Sequence, residues 1–245
     1  MAPPFSYRLA AVFTPDEAAA IVRLGEQAGF GRGGLVGGIA HDNIRRSAIA
    51  WLDEMATPEW LSARLADAVA RANREHFGFE LTHFSEQIQI ARYESGDEGH
   101  FAWHADIGDG PLARSRKLTL VVPLSPPGAH EGGALQLDGD GHAVDAGAGQ
   151  GDAALFASFV LHRVTPVTAG TRYSLTCWVH GPAFRGTQPS PWGEGGRPGR
   201  PGEGKTTRLS DRLLPLTRLR PGRGLRRAAP PQPSPPGRGQ SSLPR

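Results

Sequence analysis

The spacing of apolar residues changes from helical to strand-like near residue 86. Residues 14–29 open with threonine, proline and two acids, a helix-start signal, and then carry apolar residues at helical spacing. Residues 57–77 carry a second apolar stripe of this kind. Beyond residue 86, polar and apolar residues alternate in short runs that glycine, proline and aspartate separate. The pattern predicts two helices followed by a series of strands.

The predicted strands are short and closely spaced. They cover residues 45–52, 87–93, 117–124, 134–137, 142–145, 153–156, 162–167 and 172–180. Short strands at this spacing after two helices favour a sheet sandwich or an open barrel that the helices buttress. Such an architecture has a mouth at which loops and strand ends can hold a ligand.

Composition and charge divide the chain near residue 186. Residues 187–245 contain 12 prolines and 10 glycines without a periodic apolar pattern, so we predict a disordered tail. This segment has 12 basic and three acidic residues, a net charge of +9, whereas the whole chain carries +3. Residues 1–186 therefore carry −6, which disfavours a nucleic-acid surface on the folded part. The tail is either an arginine-rich segment for anionic partners or, as we favour, a dispensable extension.

The number of cysteines and the hydropathy of the chain indicate the cellular compartment of the protein. Cys177 is the sole cysteine, which excludes a disulfide within the chain and fits a reducing compartment. The first residues lack a secretory signal, and no apolar stretch approaches the roughly 20 residues that span a bilayer. The sequence predicts a soluble cytoplasmic protein without a membrane partner.

One histidine-aspartate pair carries the candidate chemistry. His104 and Asp106 form the only His-x-Asp of the chain, and on a strand both side chains would point to one face. His162, which directly follows the apolar run 155–161, is the best-placed third ligand. Two neutral imidazoles and one carboxylate on one side of an ion leave the opposite positions open, which suits non-haem Fe(II). The set indicates oxygen chemistry rather than structural zinc.

The spacing from His162 to Arg172 suggests how a cation reaches the same pocket. Residues 168–171 read as a turn, so we expect His162 and Arg172 on paired antiparallel strands of one hairpin. Arg172, Ser174 and Trp178 share one face of their strand, and Cys177 points away. Five other histidines have no comparable partner and are interpreted as surface groups: His41, His100, His130, His142 and His180.

Taken together, seven residues stand in a characteristic order. They are Tyr93, His104, Asp106, His162, Arg172, Ser174 and Trp178. This order resembles the 2-oxoglutarate and Fe(II)-dependent dioxygenases, specifically the prolyl-4-hydroxylase-like branch with its bacterial members. The resemblance covers residues 13–185, and residues 116–120 and 131–137 look like the family's core strands.

The resemblance implies an α+β, mainly β fold. Its core would be a double-stranded β-helix, or jelly-roll, buttressed by N-terminal helices and followed by the disordered tail. Residues 1–186 would form a single oxygenase domain, with mainly helical support in residues 1–85 and the jelly-roll core in residues 86–186.

The resemblance also implies the site. His104, Asp106 and His162 would bind Fe(II) and form the catalytic centre. Arg172 would pair with the distal carboxylate of the co-substrate 2-oxoglutarate, Tyr93 would donate a hydrogen bond to it, and Ser174 would belong to the same site. O2 would be the oxidant, and ascorbate would serve as reductant.

The implied reaction is hydroxylation of an unactivated C–H bond, with release of succinate and CO2. The substrate would be a prolyl peptide or a related amino-acid substrate. A nucleic-acid dealkylase of the same superfamily is one alternative, but those enzymes resemble one another in a second arginine where this chain has Trp178. A non-catalytic metal- or ligand-binding jelly-roll module is the other, since motifs do not establish turnover.

We predict that truncation after Gly186 leaves the domain folded, because residues 187–245 have no apolar pattern with which to pack. The truncated and full-length proteins should have the same Tm by circular dichroism. A loss of soluble protein on truncation would contradict this.

Overall fold

The computed structural model describes residues 5–33, 44–54 and 56–184. The predicted tail at residues 187–245 and His41 lie outside the described residues. No helix in the described part is long and apolar enough to cross a membrane.

Two helices precede most of the strands, as predicted. Helix α1 spans Pro15–Ala28 and begins with a capping box, in which the Thr14 hydroxyl accepts from the Glu17 amide and the Glu17 carboxylate accepts from the Thr14 amide. It ends at Gly29, whose φ of 85° suits glycine. Helix α2 spans Glu59–Ala72 and continues into a π-helical turn at residues 73–77.

The strands of the described residues form two antiparallel sheets. They are β1 Ser6–Leu9, β2 Gly31–Arg32, β3 Arg45–Arg46, β4 Ala48–Leu52, β5 Ile88–Glu94, β6 His100–His104, β7 Arg116–Pro123, β8 His130–Gly132, β9 Leu135–Gly139, β10 His142–Asp145, β11 Ala153–Ala157, β12 His162–Val164 and β13 Val167–His180. The major sheet has the order β1-β11-β7-β13-β5-β4-β2, with β8 also paired to β13. The minor sheet has the order β10-β9-β12-β6-β3. The predicted α+β, mainly β sandwich buttressed by helices is confirmed.

The major sheet is covered on both faces. Its outer face packs on the helices through an apolar cluster that joins Ile21 and Leu61 to Leu120 and Leu175. Its inner face packs on the minor sheet through a second cluster, which contains Phe156 among others. Because side chains alternate along a strand, each central strand of the major sheet contributes to both clusters. The space between the sheets is therefore largely enclosed, and polar groups placed there are wholly or partly buried.

Two features of the sheets differ from the sequence predictions. The alternation pattern did not predict β1, which pairs with β11, the two-residue strand β2, or the strands β6 and β8. The expected hairpin of His162 and Arg172 is wrong, because β12 pairs with β6 and β9, whereas β13 pairs with β5, β7 and β8.

The physical reason lies in the residues between His162 and Arg172. Residues 168–171 resemble a turn because they include Gly170, but they lie within β13, where Gly170 has a φ of +70° and pairs with His130 of β8. The chain crosses from the minor to the major sheet earlier, at residues 165–166, where Pro166 has no amide hydrogen to donate to a ladder. His162 and Arg172 therefore lie on opposite sheets.

Candidate active site

Three side chains from distant parts of the chain converge between the sheets. His104 is the last residue of β6 and lies directly opposite His162, the first residue of β12, with ring centroids 4.1 Å apart. The Asp106 carboxylate approaches both rings, at 3.8 Å from His104 Nε2 and 3.5 Å from His162 Nε2. One ligand atom from each residue lies within 4.8 Å of the other two. The structure thus brings the sequence-predicted triad together.

Asp106 does not lie on the strand, contrary to the expectation that the pair would share one strand face. Strand β6 ends at His104, and the next residues turn away. The backbone amides of Asp106 and Ile107 donate to the Ser158 carbonyl at 2.9 and 3.0 Å. A backbone turn, rather than the alternation of a strand, therefore directs the carboxylate.

Hydrogen bonds fix the tautomers of both histidines. His104 Nδ1 is 2.8 Å from the Ala102 carbonyl, and His162 Nδ1 is 3.0 Å from the Val160 carbonyl. A carbonyl oxygen only accepts, so each Nδ1 carries a proton and donates. Each Nε2 then presents its lone pair towards Asp106, the arrangement in which imidazoles bind metals. The donor set fits a divalent metal such as Fe(II).

Burial sets the charges of this triad. It lowers the pKa of His104 to about 3, and the nearby His162 lowers it further. Burial alone would raise the pKa of Asp106, but His162, His104 and a hydrogen bond from Thr119 outweigh it and lower the pKa. At neutral pH His104 is neutral and Asp106 is ionised, the protonation states that metal binding requires.

The residues that contact the triad hold it in place, and the sequence analysis did not predict their role. The Thr119 hydroxyl donates to Asp106 Oδ2 at 2.7 Å. Phe101 stacks on His104 at 3.5 Å between centroids, and the Phe156 ring lies 4.7 Å from that of His162. The sequence does carry a signal for Thr119, since it is a hydroxyl residue within the otherwise apolar stretch 118–122.

A buried cation lies on the facing sheet. Arg172 is 3% exposed, its Nη1 donates to the Ser174 hydroxyl at 2.9 Å, and its guanidinium carbon is 5.2 Å from the centroid of the Tyr93 ring. Burial lowers the pKa of Arg172, an effect that Tyr93 opposes, yet a guanidinium stays charged in proteins. In the described part of the chain no carboxylate pairs with it. A desolvated cation of this kind fits an anionic ligand.

Gly133 makes room for the Arg172 side chain. Its φ is +67°, and a Cβ at this position would lie 2.7 Å from Arg172 Cδ and 2.9 Å from Val167 Cγ2. Any larger residue would displace the guanidinium or the strand that carries it.

The remaining residues of β13 divide between the two faces as predicted. Trp178 is on the inner side, and its indole nitrogen has no acceptor among the described residues. Cys177 lies in the outer apolar cluster, where burial raises the pKa of its thiol to about 12. His180, expected at the surface, is fully buried, and its Nε2 is 2.9 Å from Glu86 Oε1. That expectation is wrong because Glu86, 94 residues away, supplies a partner that no local pattern could indicate.

Comparison with known proteins agrees with this geometry. Residues 88–180 match the 2OG-Fe(II) oxygenase superfamily. The chain is 28% identical over 153 residues to a PKHD-type hydroxylase of Maricaulis maris, covering 61% of this chain and 68% of the relative. It is 27% identical over 177 residues to a PKHD-type hydroxylase of Colwellia psychrerythraea, covering 70% and 76% of the two chains.

Solved structures share the fold. A prolyl-4-hydroxylase of Pseudomonas putida superposes with a TM-score of 0.59 at 23% identity, covering 72% of this chain and 93% of that one. A prolyl hydroxylase of Trichoplax adhaerens, solved with a peptide fragment of hypoxia inducible factor, gives 0.58 at 21% identity, covering 72% and 83%. The jelly-roll core inferred from the resemblance is therefore confirmed. Over residues 88–180 the chain thus matches the 2OG-Fe(II) oxygenase superfamily, and over a longer stretch it is similar to PKHD-type hydroxylases.

Proposed function

We propose that the protein hydroxylates an unactivated C–H bond of a prolyl residue, or of a related amino-acid side chain, in a peptide. The observation that carries the proposal is the juxtaposition of the His104, Asp106 and His162 ligand atoms, all within 4.8 Å, with a buried arginine on the facing sheet. One side of the space between the sheets can hold a metal, and the other can hold an anion. The reaction would release succinate and CO2 from 2-oxoglutarate.

The residues have distinct proposed roles. His104, Asp106 and His162 would hold Fe(II), which when bound supplies the site for 2-oxoglutarate and O2 and hence the oxidising chemistry. Arg172 would bind the distal carboxylate of 2-oxoglutarate through its planar guanidinium, which Ser174 orients. The Tyr93 hydroxyl would donate to the same carboxylate. The apolar cluster between the sheets would exclude water from the bound co-substrate.

The peptide substrate is supported by the relatives, whose names describe PKHD-type and prolyl hydroxylases. The Trichoplax enzyme was solved with a peptide fragment bound. Ascorbate is proposed as the reductant that keeps the iron in its Fe(II) state between turnovers.

We predict that the purified full-length protein forms succinate from 2-oxoglutarate in the presence of Fe(II), O2 and ascorbate, and that a prolyl peptide gains 16 Da as about one oxygen is transferred per succinate. The His104→Ala variant should lose both products because one of three metal ligands is gone. Succinate by liquid chromatography and peptide mass by mass spectrometry measure the two outcomes.

Two results would contradict the proposed hydroxylation of a peptide. A wild-type protein that binds Fe(II) with His104 intact, yet forms neither product across a panel of prolyl peptides and amino acids, would favour a metal-binding module without catalysis. Oxygen transfer to a methylated nucleic acid instead of a peptide would identify a dealkylase.

A second prediction isolates the proposed co-substrate anchor. Gly133→Ala should weaken 2-oxoglutarate binding by about tenfold or more, since a Cβ 2.7 Å from Arg172 Cδ displaces the guanidinium. Metal binding should be unchanged, because Gly133 touches none of the three proposed ligands. Calorimetric titration with 2-oxoglutarate and a redox-inert divalent metal measures both.

Gly141→Ala is the matched control. Gly141 has a φ of +85°, so alanine there suffers similar backbone strain, but nothing lies within 4 Å of the added Cβ. Equal loss of 2-oxoglutarate affinity in the two variants would argue against Arg172 as the anchor.

A further inference from the structure

A second arginine lies immediately beside the proposed metal ligand Asp106. Arg116 is 7% exposed, and its Nη1 donates to the backbone carbonyl of Asp106 at 3.0 Å. Its guanidinium carbon lies 4.2 Å from the centroid of the Trp178 ring. The cation is also near enough to lower the pKa of the Asp106 carboxyl, although burial and the two histidines have larger effects. Arg116 thus contacts the backbone of Asp106 but leaves its carboxylate to other partners.

Glu86 occupies the other edge of this guanidinium. Its Oε1 accepts from Arg116 Nε at 2.7 Å, and its Oε2 accepts from Nη2, which makes the pair bidentate. The side chain of Glu86 is 12% exposed and that of Arg116 is 9% exposed. Burial would raise the pKa of Glu86, but hydrogen bonds from Arg116 and His180 lower it to about 2, so the carboxylate is ionised and balances the buried cation.

His180 completes the arrangement. Its Nε2 donates to Glu86 Oε1 at 2.9 Å, and its Nδ1 accepts from the Ser85 amide at 3.4 Å. These two bonds are compatible with a single neutral tautomer, with the proton on Nε2. Since His180 is fully buried, it holds the carboxylate in one orientation against Arg116.

The placement matters because Asp106 would serve a metal. A guanidinium and a carboxylate form strong bidentate pairs, so an Arg116 side chain free to rotate would compete with a metal for Asp106. Two of its nitrogens are already committed to Glu86, and the third reaches only the backbone carbonyl.

We propose that Glu86 is a positioning residue that restrains and neutralises Arg116, so that the Asp106 carboxylate stays available to the metal. The inference rests on the proposed function, in which Asp106 is a metal ligand. It assigns to a residue outside the metal and co-substrate sites a measurable effect on metal affinity.

The test is Co(II) titration of the apoprotein, followed by the visible absorption of the bound ion. We expect Glu86→Gln to weaken Co(II) binding by about 10- to 100-fold, the effect usual for partners of metal ligands. Adding Arg116→Met to Glu86→Gln should restore most of the affinity, because the competing cation is then gone. Recovery by a second substitution separates competition from a general loss of structure.

Asp152→Asn is the control for disruption of a buried carboxylate. Asp152 is also 12% exposed and accepts from the Ala11 and Gly149 amides and from Arg8, none of which belongs to the site. It should lower the Tm without changing Co(II) affinity. Arg116→Lys is a second variant should Glu86→Gln fail to fold, since lysine keeps the charge but loses the bidentate hold, and it should also weaken Co(II) binding.

The outcomes separate the two proposals. The proposed metal site itself is overturned if the wild-type protein binds no Co(II), or if its Co(II) affinity equals that of the His104→Ala variant. Wild-type binding at the triad together with unchanged affinity in Glu86→Gln, or with a double variant that binds no better than Glu86→Gln, overturns the role of Glu86 alone.

Discussion

The pairing of β6 with β12 is the constraint on which the site depends. It sets His104 directly opposite His162, although 57 residues lie between them in the chain. Directly opposed residues in an antiparallel pair have their Cβ atoms about 5 Å apart, which is the separation that two imidazoles need in order to share an ion. A shift of one residue in this register would turn one ring to the other face of the sheet.

The two sheets contribute different chemistry. The minor sheet carries both histidines, and the major sheet carries the buried guanidinium of Arg172 together with Thr119, whose hydroxyl reaches across to Asp106. A diacid bound to a metal at one end and to Arg172 at the other would therefore bridge the layers. Binding of the co-substrate should tighten the sandwich as well as prepare the reaction.

The sequence predicted most of this arrangement, and its failures have physical causes. Local signals sufficed for α1, because the capping box of Thr14 involves only neighbours along the chain. They failed between His162 and Arg172, where Gly170 reads as a turn but a pairing with β8 keeps it within a strand. They also failed for His180, whose burial depends on Glu86. In both cases, the strand at Gly170 and the burial of His180, contacts between distant parts of the chain outweighed the local sequence preference.

The alternation of β13 has a further consequence for durability. An enzyme that activates O2 risks damaging its own sulfur, and the thiolate is the form that oxidises readily. The sole cysteine, Cys177, sits on the face of the strand turned away from the triad, and at a pKa of about 12 it stays protonated. The sheet would thus separate the chain's one thiol from oxidants that the proposed O2 chemistry could form at the triad.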